Sequence, residues 1–237
     1  MVCYRGELDL VIEEYQKKYE TLFQVISHEK NLGLGKSLAI GLQACRNEYV
    51  ARLDSDDIAE KRRCEKELEQ LNQHPELDVV GSLVAEFCHS IKEITSYHWL
   101  PEKNDKICQF AKTRNPCAHS SIMMKKSKVL AVGNYRDYRY FEDYDLWIRM
   151  MKDKCQFYNI QEVLVYMRAD ENFYQRRGGI SYLQQMLKFK TEQWKNGFYS
   201  WHSYLTTTTV HILVCLVPNR IRKWIYLRFL RKKEIKK

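Results

Sequence analysis

Apolar residues recur at Leu8, Val11, Ile12, Tyr15 and Tyr19, with Glu13, Glu14, Lys17 and Lys18 between them. This spacing of three and four predicts an amphipathic helix. Leu22–Ser27 is short and mostly apolar and reads as a strand. A glycine loop, Asn31-Leu32-Gly33-Leu34-Gly35, follows it, and Leu38, Ala39 and Leu42 restore a helical pattern over Lys36–Cys45. Tyr49–Leu53 reads as a short buried strand that Asp54 ends, and Glu60–His74 as a charged helix closed by Pro75. Asp78–Phe87 is strand-like, Glu142–Met151 helical, and Cys155–Arg168 holds one or two strands, while Glu102–Arg139 is less regular. Strands alternating with helices predict an α/β domain with an open, mostly parallel sheet flanked by helices. No internal repeat or low-complexity segment interrupts it.

Charge changes the picture at one end. Of a net charge of +9, the segment 218–237 carries +8, from nine basic residues and Glu234. The body is therefore near neutral, the reverse of what a nucleic-acid-binding domain needs, and no nucleic-acid partner is expected. Basic charge interleaved with Trp224, Tyr226 and Phe229 points to an anionic membrane surface or an acidic partner. The apolar run Thr206–Val217 is broken by His211 and ended by Pro218, too short for the ~20 residues that span a bilayer. Residues 1–205 thus read as the folded domain and 206–237 as an apolar and basic membrane-surface tail. The eight cysteines are scattered singly, with no Cys-x-x-Cys pair, which leaves a zinc site without support and suits reduced thiols in the cytoplasm.

Two acidic stretches carry the candidate chemistry. In Arg52-Leu53-Asp54-Ser55-Asp56-Asp57-Ile58 the carboxylates follow a strand, where their mutual repulsion invites a hard divalent cation such as Mg²⁺ or Mn²⁺. Alternate residues of an extended segment share a face, so Asp54 and Asp56 are candidate ligands of one ion. A solvated acidic turn explains the same residues more modestly. Phe141-Glu142-Asp143-Tyr144-Asp145-Leu146-Trp147 places acids in a first helical turn, favourable for the helix dipole and also suited to a general base. Gly35-Lys36-Ser37 has the ending of a phosphate-binding P-loop, but Lys30 stands where that motif needs glycine, which excludes a nucleotide triphosphatase. A phosphate contact at that helix N-terminus stays open.

Taken in order, Asn31–Lys36, Ala51–Asp57, Asn115-Pro116-Cys117-Ala118-His119, Val132–Tyr135, Phe141–Trp147 and Tyr174-Gln175-Arg176-Arg177-Gly178-Gly179 resemble the family 2 glycosyltransferases of GT-A fold. Within that family they are most similar to the amylovoran, exopolysaccharide and O-antigen enzymes. The resemblance implies a nucleotide-sugar donor, a UDP-sugar by preference, inversion at the anomeric carbon, and a lipid-linked glycan acceptor. It implies that Asp54 lies near the ribose and metal, that Asp56 ligates Mn²⁺ or Mg²⁺, and that Asp143 is the base with Glu142 shaping the acceptor pocket. Gly33, Gly35, Lys36, Arg176 and Arg177 are its candidate donor contacts, and His119 and Trp147 its candidate acceptor contacts. A lipid acceptor implies a cytoplasmic enzyme held on the inner face of the membrane.

The family opens with a strand, a helix and a second strand that ends in an acid and glycine. Here Met1–Cys3 is at most a stub of that second strand, followed by Tyr4 and Arg5, so the fold is expected to be N-terminally truncated. The competing expectation is a catalytically dead remnant that persists as a membrane-surface or partner-binding protein.

Overall fold

The computed structural model describes residues 5–170 and 172–233, which fall into two compact units divided between Gly33 and Leu34. The expected strand stub at Met1–Cys3 lies outside the described residues. In the first unit, helix α1 (Arg5–Lys18) forms as its apolar spacing predicts. Tyr15 packs its ring against Tyr19 and Phe23 at 5.9 and 6.0 Å. The strand expected at Leu22–Ser27 does not form. Among the described residues the segment has no ladder partner, and Leu22, Phe23, Val25 and Ile26 stay exposed. Gly33 ends this unit in the left-handed region, its N–H donating to Asn31 Oδ1 at 2.8 Å.

The second unit runs α2 (Leu34–Ala44), β1 (Tyr49–Ala51), β2 (Ile58–Ala59), α3 (Arg63–Gln73), β3 (Leu77–Phe87), β4 (Ile94–His98), α4 (Asn104–Phe110), β5 (Met123–Lys125) and α5 (Lys126–Ala131). It continues with α6 (Glu142–Lys152), β6 (Gln156–Arg168), α7 (Asn172–Gln175), α8 (Gly179–Lys195), α9 (Trp201–Leu216) and α10 (Asn219–Ile225), then a wider turn over Tyr226–Leu230. The strands form one curled sheet in the order β1-β5-β3-β6-β2, with β4 also on β3.

The sheet is mixed, not mostly parallel as the strand–helix alternation predicts. Of its described pairings only β3 with β6 is parallel, and β1–β5, β2–β6, β3–β4 and β3–β5 are antiparallel. The physical reason lies in the irregular middle of the chain. There β4 follows β3 directly, without a helical crossover, and so pairs with it in the opposite sense, and β5, reached through α4, also runs antiparallel to β3.

β3 is buried at all its positions and is the spine of the sheet. Its polar residues recur every fourth position on one face, and each has a partner. Asp78 pairs with Lys125 at 3.2 Å, Ser82 takes part in hydrogen bonds with Ser121, and Glu86 pairs with Arg231 at 2.7 Å. A buried polar atom without such a partner would cost about 1–3 kcal/mol. On one side α6 sinks Leu146, Trp147 and Met150 into a core with Val79, Ile122, Met124 and Phe157. A second core joins α6 to the α8–α9 pair, where Phe141 stacks on Phe189 at 4.8 Å.

The C-terminal segment is folded into this unit and is not a separate tail. A boundary after Leu205 falls inside α9, which packs along α8. Arg222 is buried and donates to the carbonyls of Val214, Cys215 and Val217 at 3.1, 2.8 and 2.8 Å, capping the end of α9. Lys232 exchanges both backbone hydrogen bonds with Tyr97 of β4. Two of the basic residues read as membrane-facing, Arg222 and Arg231, are therefore spent on internal contacts.

Candidate active site

The strand β1 delivers the first acidic stretch. Its ladder runs on one residue, Arg52 N–H donating to the Ile122 carbonyl at 2.9 Å, and then the chain turns. Arg52 and Asp54 stand two apart and face the same way, as strand geometry requires. Their side chains form an ion pair, with that of Arg52 10% exposed and that of Asp54 44% exposed. The loop beyond is clasped by Arg168 at the end of β6. Its backbone N–H donates to Asp57 Oδ1 at 2.9 Å, and its guanidinium reaches the Asp56 and Cys88 carbonyls at 3.4 and 3.2 Å. Burial and the charges of Asp54 and Asp56 raise the Asp57 pKa, while the Ser120 hydroxyl and the Arg168 N–H pull it back. Asp57 thus anchors the loop, and Asp56 is left exposed at its tip.

The first turn of α6 delivers the second stretch. Glu142 is 6% exposed, and its Oε2 has no hydrogen-bond partner. Burial first, and then the charge of Asp143, push its pKa up to about 7, while Arg52 draws it down and Asp54 adds to the rise. Asp143 accepts from Asn115 Nδ2 at 2.6 Å and from the Tyr144 backbone N–H at 2.7 Å. Its pKa is raised by burial and held back by those two donors and by Arg52. The two acidic stretches act on one another through charge: Arg52, ion-paired with Asp54, draws down the pKa of both Glu142 and Asp143, and Asp54 adds to the rise of Glu142.

His119 donates or accepts at 2.8 Å with the Tyr135 hydroxyl, and burial together with the Arg52 charge holds its imidazole neutral. It is part-buried beside the same cation. Trp147 is not an acceptor contact. It is fully buried and packs edge-on against His119 and Phe157, supporting the histidine from the core.

The glycine loop separates into different roles. Gly33 belongs to the N-terminal unit. Gly35 is buried, and a Cβ there would lie 2.2 Å from the Arg136 carbonyl oxygen, so glycine lets α2 approach the 136–137 backbone. Lys36 is exposed and pairs with Asp137 at 2.8 Å. Arg176 is exposed and lies 3.7 Å from Asp170. Arg177 lies over the Phe173 ring at 3.7 Å and donates to the Phe173 carbonyl at 3.0 Å. Beside Arg52 an open cleft of about 360 Å³ lies between α2 and β1, lined by Leu34, Leu38, Leu42, Val50, Leu53 and Tyr135, among others.

Three residues in these motifs had no assigned role in the sequence. Arg52 is the shared cation, and its two-residue spacing from Asp54 was the available signal. Asn115 holds Asp143. Asp145, the third acid of α6, is fully buried and takes Arg149 at 2.8 Å and Gln193 at 3.0 Å, tying α6 to α8.

An oxygen-ligated cation can be tested against these donors. Among the described residues no three His, Cys, Asp or Glu side chains converge as a complete metal cage. Asp54 and Asp56 offer carboxylates on an exposed loop, which fits an ion bound by one or two carboxylates and completed by substrate phosphates.

Clustered carboxylates after one strand of an α/β fold, and an acidic pair opening one of its helices, are features of a glycosyltransferase of GT-A type. The chain belongs to Glycosyl transferase family 2, whose profile matches residues 6–130. Among its relatives, the amylovoran biosynthesis glycosyltransferase AmsE of Erwinia amylovora is 35% identical over 231 residues, covering 95% of this chain and 85% of that protein. The UDP-Gal:alpha-D-GlcNAc-diphosphoundecaprenol beta-1,3-galactosyltransferase of Escherichia coli is 31% identical, covering 96% and 82%. In three dimensions the chain is similar to S. aureus TarS 1-349 in complex with UDP-GlcNAc, with TM-score 0.57 and 15% identity, covering 95% of this chain and 60% of that one. It is also similar to the mannosyltransferase PcManGT of Pyrobaculum calidifontis in complex with GDP-Man and Mn²⁺, with TM-score 0.57 and 9% identity, covering 92% and 59%. The chain thus spans about three fifths of these two solved structures, and they support the fold alone.

Proposed function

We propose that this glycosyltransferase moves a sugar, with inversion, from a UDP-sugar to a lipid-linked glycan in the assembly of a bacterial surface polysaccharide. The observation that supports the reading is the Arg52–Asp54 ion pair at the end of β1, whose cation also draws down the pKa of the buried Glu142–Asp143 pair. One side can bind a donor diphosphate through a metal and the other can take a proton, the two tasks a single displacement needs. Asp56, with Asp54 beside it, would hold Mn²⁺ or Mg²⁺. The bound ion would stabilise the charge that develops on the leaving diphosphate. Asp143, held by Asn115, takes the proton of the attacking hydroxyl, and Glu142 and neutral His119 border the acceptor. The Erwinia and Escherichia relatives support the polysaccharide setting, and the acceptor in the latter's name supports a lipid diphosphate.

A membrane-facing position is part of the same reading. No described helix is long and apolar enough to cross a bilayer. Yet α9 exposes Leu205, Val210, Leu213 and Leu216, and Trp224 and Phe229 follow among exposed Arg220, Lys223 and Arg228. Rings and leucines at headgroup depth beside cations suit an anionic surface, here the inner membrane face.

Calorimetric titration of UDP into the full chain, with and without Mn²⁺, tests the donor side. Wild type should bind UDP more tightly with Mn²⁺, and Asp56→Ala should lose that enhancement. Metal-independent binding equal in both proteins would remove Asp56 from the metal role.

A further inference from the structure

The residue before the cap of α6 has a backbone conformation that its side chain does not explain. Among the described residues three non-glycine residues have a positive φ: Asn134 at 59°, Tyr140 at 76° and Lys154 at 62°. Asparagine tolerates the left-handed region, and Lys154 occupies it just past the end of α6, where many helices finish. Tyr140 has neither reason, and a bulky residue there is strained. Its neighbours impose the turn. Tyr138 donates its hydroxyl proton to Glu192 and meets Phe189 edge-on at 5.9 Å, while Phe141 stacks on Phe189 at 4.8 Å. Both are thus tied to α8, and the backbone between them makes the left-handed turn. Glycine would adopt it without strain. The tyrosine ring is instead 36% exposed, tilted against Tyr182 at 5.2 Å, with the Arg139 guanidinium 5.0 Å from its centroid. Burial offsets only part of the strain.

We propose that Tyr140 is a sugar platform: its ring stacks on the hexose or N-acetylhexosamine of the acceptor and so sets acceptor specificity. Tyr140 stands two residues before Glu142 and three before Asp143, so its Cα lies within about 7.6 Å of the one and about 11.4 Å of the other. A pyranose has a face of C–H groups rimmed by hydroxyls. An aromatic ring matches the face, and a hydrogen-bond acceptor matches the rim. Glu142 Oε2, buried and without a partner, supplies such an acceptor from the first turn of α6. A buried oxygen left unmatched is costly, and a sugar hydroxyl would satisfy it. Arg139 does not block the ring, because an exposed cation over an exposed ring is held weakly and a sugar can displace it. The place favours the acceptor over the donor. Tyr140 adjoins in the chain the acids of the proton-accepting side, whereas the donor diphosphate belongs at Asp54 and Asp56. The assignment to the acceptor rests on the function proposed above; the sugar platform itself does not.

The test is calorimetry on the full chain with a synthetic short-chain N-acetylglucosamine–diphosphate–lipid, and with the same lipid diphosphate lacking the sugar. UDP plus Mn²⁺ is a third arm. Wild type should prefer the sugar lipid to the sugar-free one. Tyr140→Phe keeps the ring and should bind the sugar lipid within about 2-fold of wild type. Tyr140→Gly keeps the turn and should bind it about 10-fold more weakly, the loss of one aromatic contact. Both should bind the sugar-free lipid and UDP–Mn²⁺ as wild type does. Should Tyr140→Gly lower the melting temperature, Tyr140→Asn, which also tolerates the left-handed region, is the second variant, with the same expected loss. Sugar-lipid binding equal in wild type and the ringless variants would overturn the platform. An equal loss for the sugar-free lipid would make Tyr140 a lipid or diphosphate contact and overturn it too, and a parallel loss of UDP–Mn²⁺ binding would show a ring that serves the whole fold. Wild type that binds UDP–Mn²⁺ but does not prefer the sugar lipid would overturn the platform and leave the donor assignment standing. Wild type that prefers the sugar lipid, with the loss in Tyr140→Gly, but binds no UDP would keep the platform and sink the donor assignment.

Discussion

Arg52 is one guanidinium shared by two sets of acids, and its position makes a claim about pH. Its charge draws down the pKa of the Glu142–Asp143 pair, which burial pushes up, Glu142 to about 7. A base works only when ionised, so activity should rise as pH increases through about 7, with the apparent pKa belonging to the pair. Removing the cation in Arg52→Met raises that pKa further, so the acid limb of the pH–rate profile should move to higher pH. An unmoved limb would deny Arg52 its electrostatic role. Stability carries the opposite sign. A carboxyl whose folded pKa is raised favours the protonated folded state, so its contribution is full below the ordinary carboxylate range and is lost as pH rises through about 7. Glu142→Gln should therefore raise the melting temperature relative to wild type at pH 8 and change it little at pH 4. The acids themselves were legible because clustered carboxylates after a strand and in a first helical turn have few uses. Asn115 was not, since its segment has no periodicity and only its contact with Asp143 gives it a role. Trp147 misled because an aromatic near acids reads equally well as core.

At the scale of elements, two arginines fix the C-terminal segment. Arg231→Ala strands the buried Glu86 carboxylate, which should cost about 3–5 kcal/mol in denaturant unfolding. Arg231→Ala with Glu86→Leu should recover much of that loss, because no buried charge is then left unpaired. If Arg231→Ala is as stable as wild type, the strap over β4 is not formed in solution. The charge count of residues 218–237 could not reveal this, because a basic residue capping α9 and one facing solvent look alike in sequence. The helices α2, α3 and α6 were legible from their spacing. The strand at Leu22–Ser27 was not realised, since apolar content creates a strand only where a neighbour completes its ladder.

At the scale of the whole molecule, the family was legible from six short motifs in order, while the handedness of the sheet's pairings was not. Strand direction depends on how the irregular middle returns, and β4 and β5 come back antiparallel. The exposed apolar face of α9 makes a further claim. The full chain should co-sediment with anionic vesicles more than with neutral ones, and Leu213→Asp with Leu216→Asp should reduce that binding; indifference to lipid charge would count against a membrane role. The central claim is that the Asp54 side and the Asp143 side act together in sugar transfer. Its most direct test is transfer of labelled sugar from a panel of UDP-sugars to a synthetic N-acetylglucosamine–diphosphate–lipid, with Mn²⁺, by wild type and Asp143→Asn. The account predicts turnover by wild type with at least one donor. It predicts a loss of about 100-fold or more in Asp143→Asn, which keeps the shape but cannot accept a proton, with UDP binding intact. Asp143→Asn turning over at the wild-type rate, or wild type that binds UDP yet transfers from no donor, would contradict it.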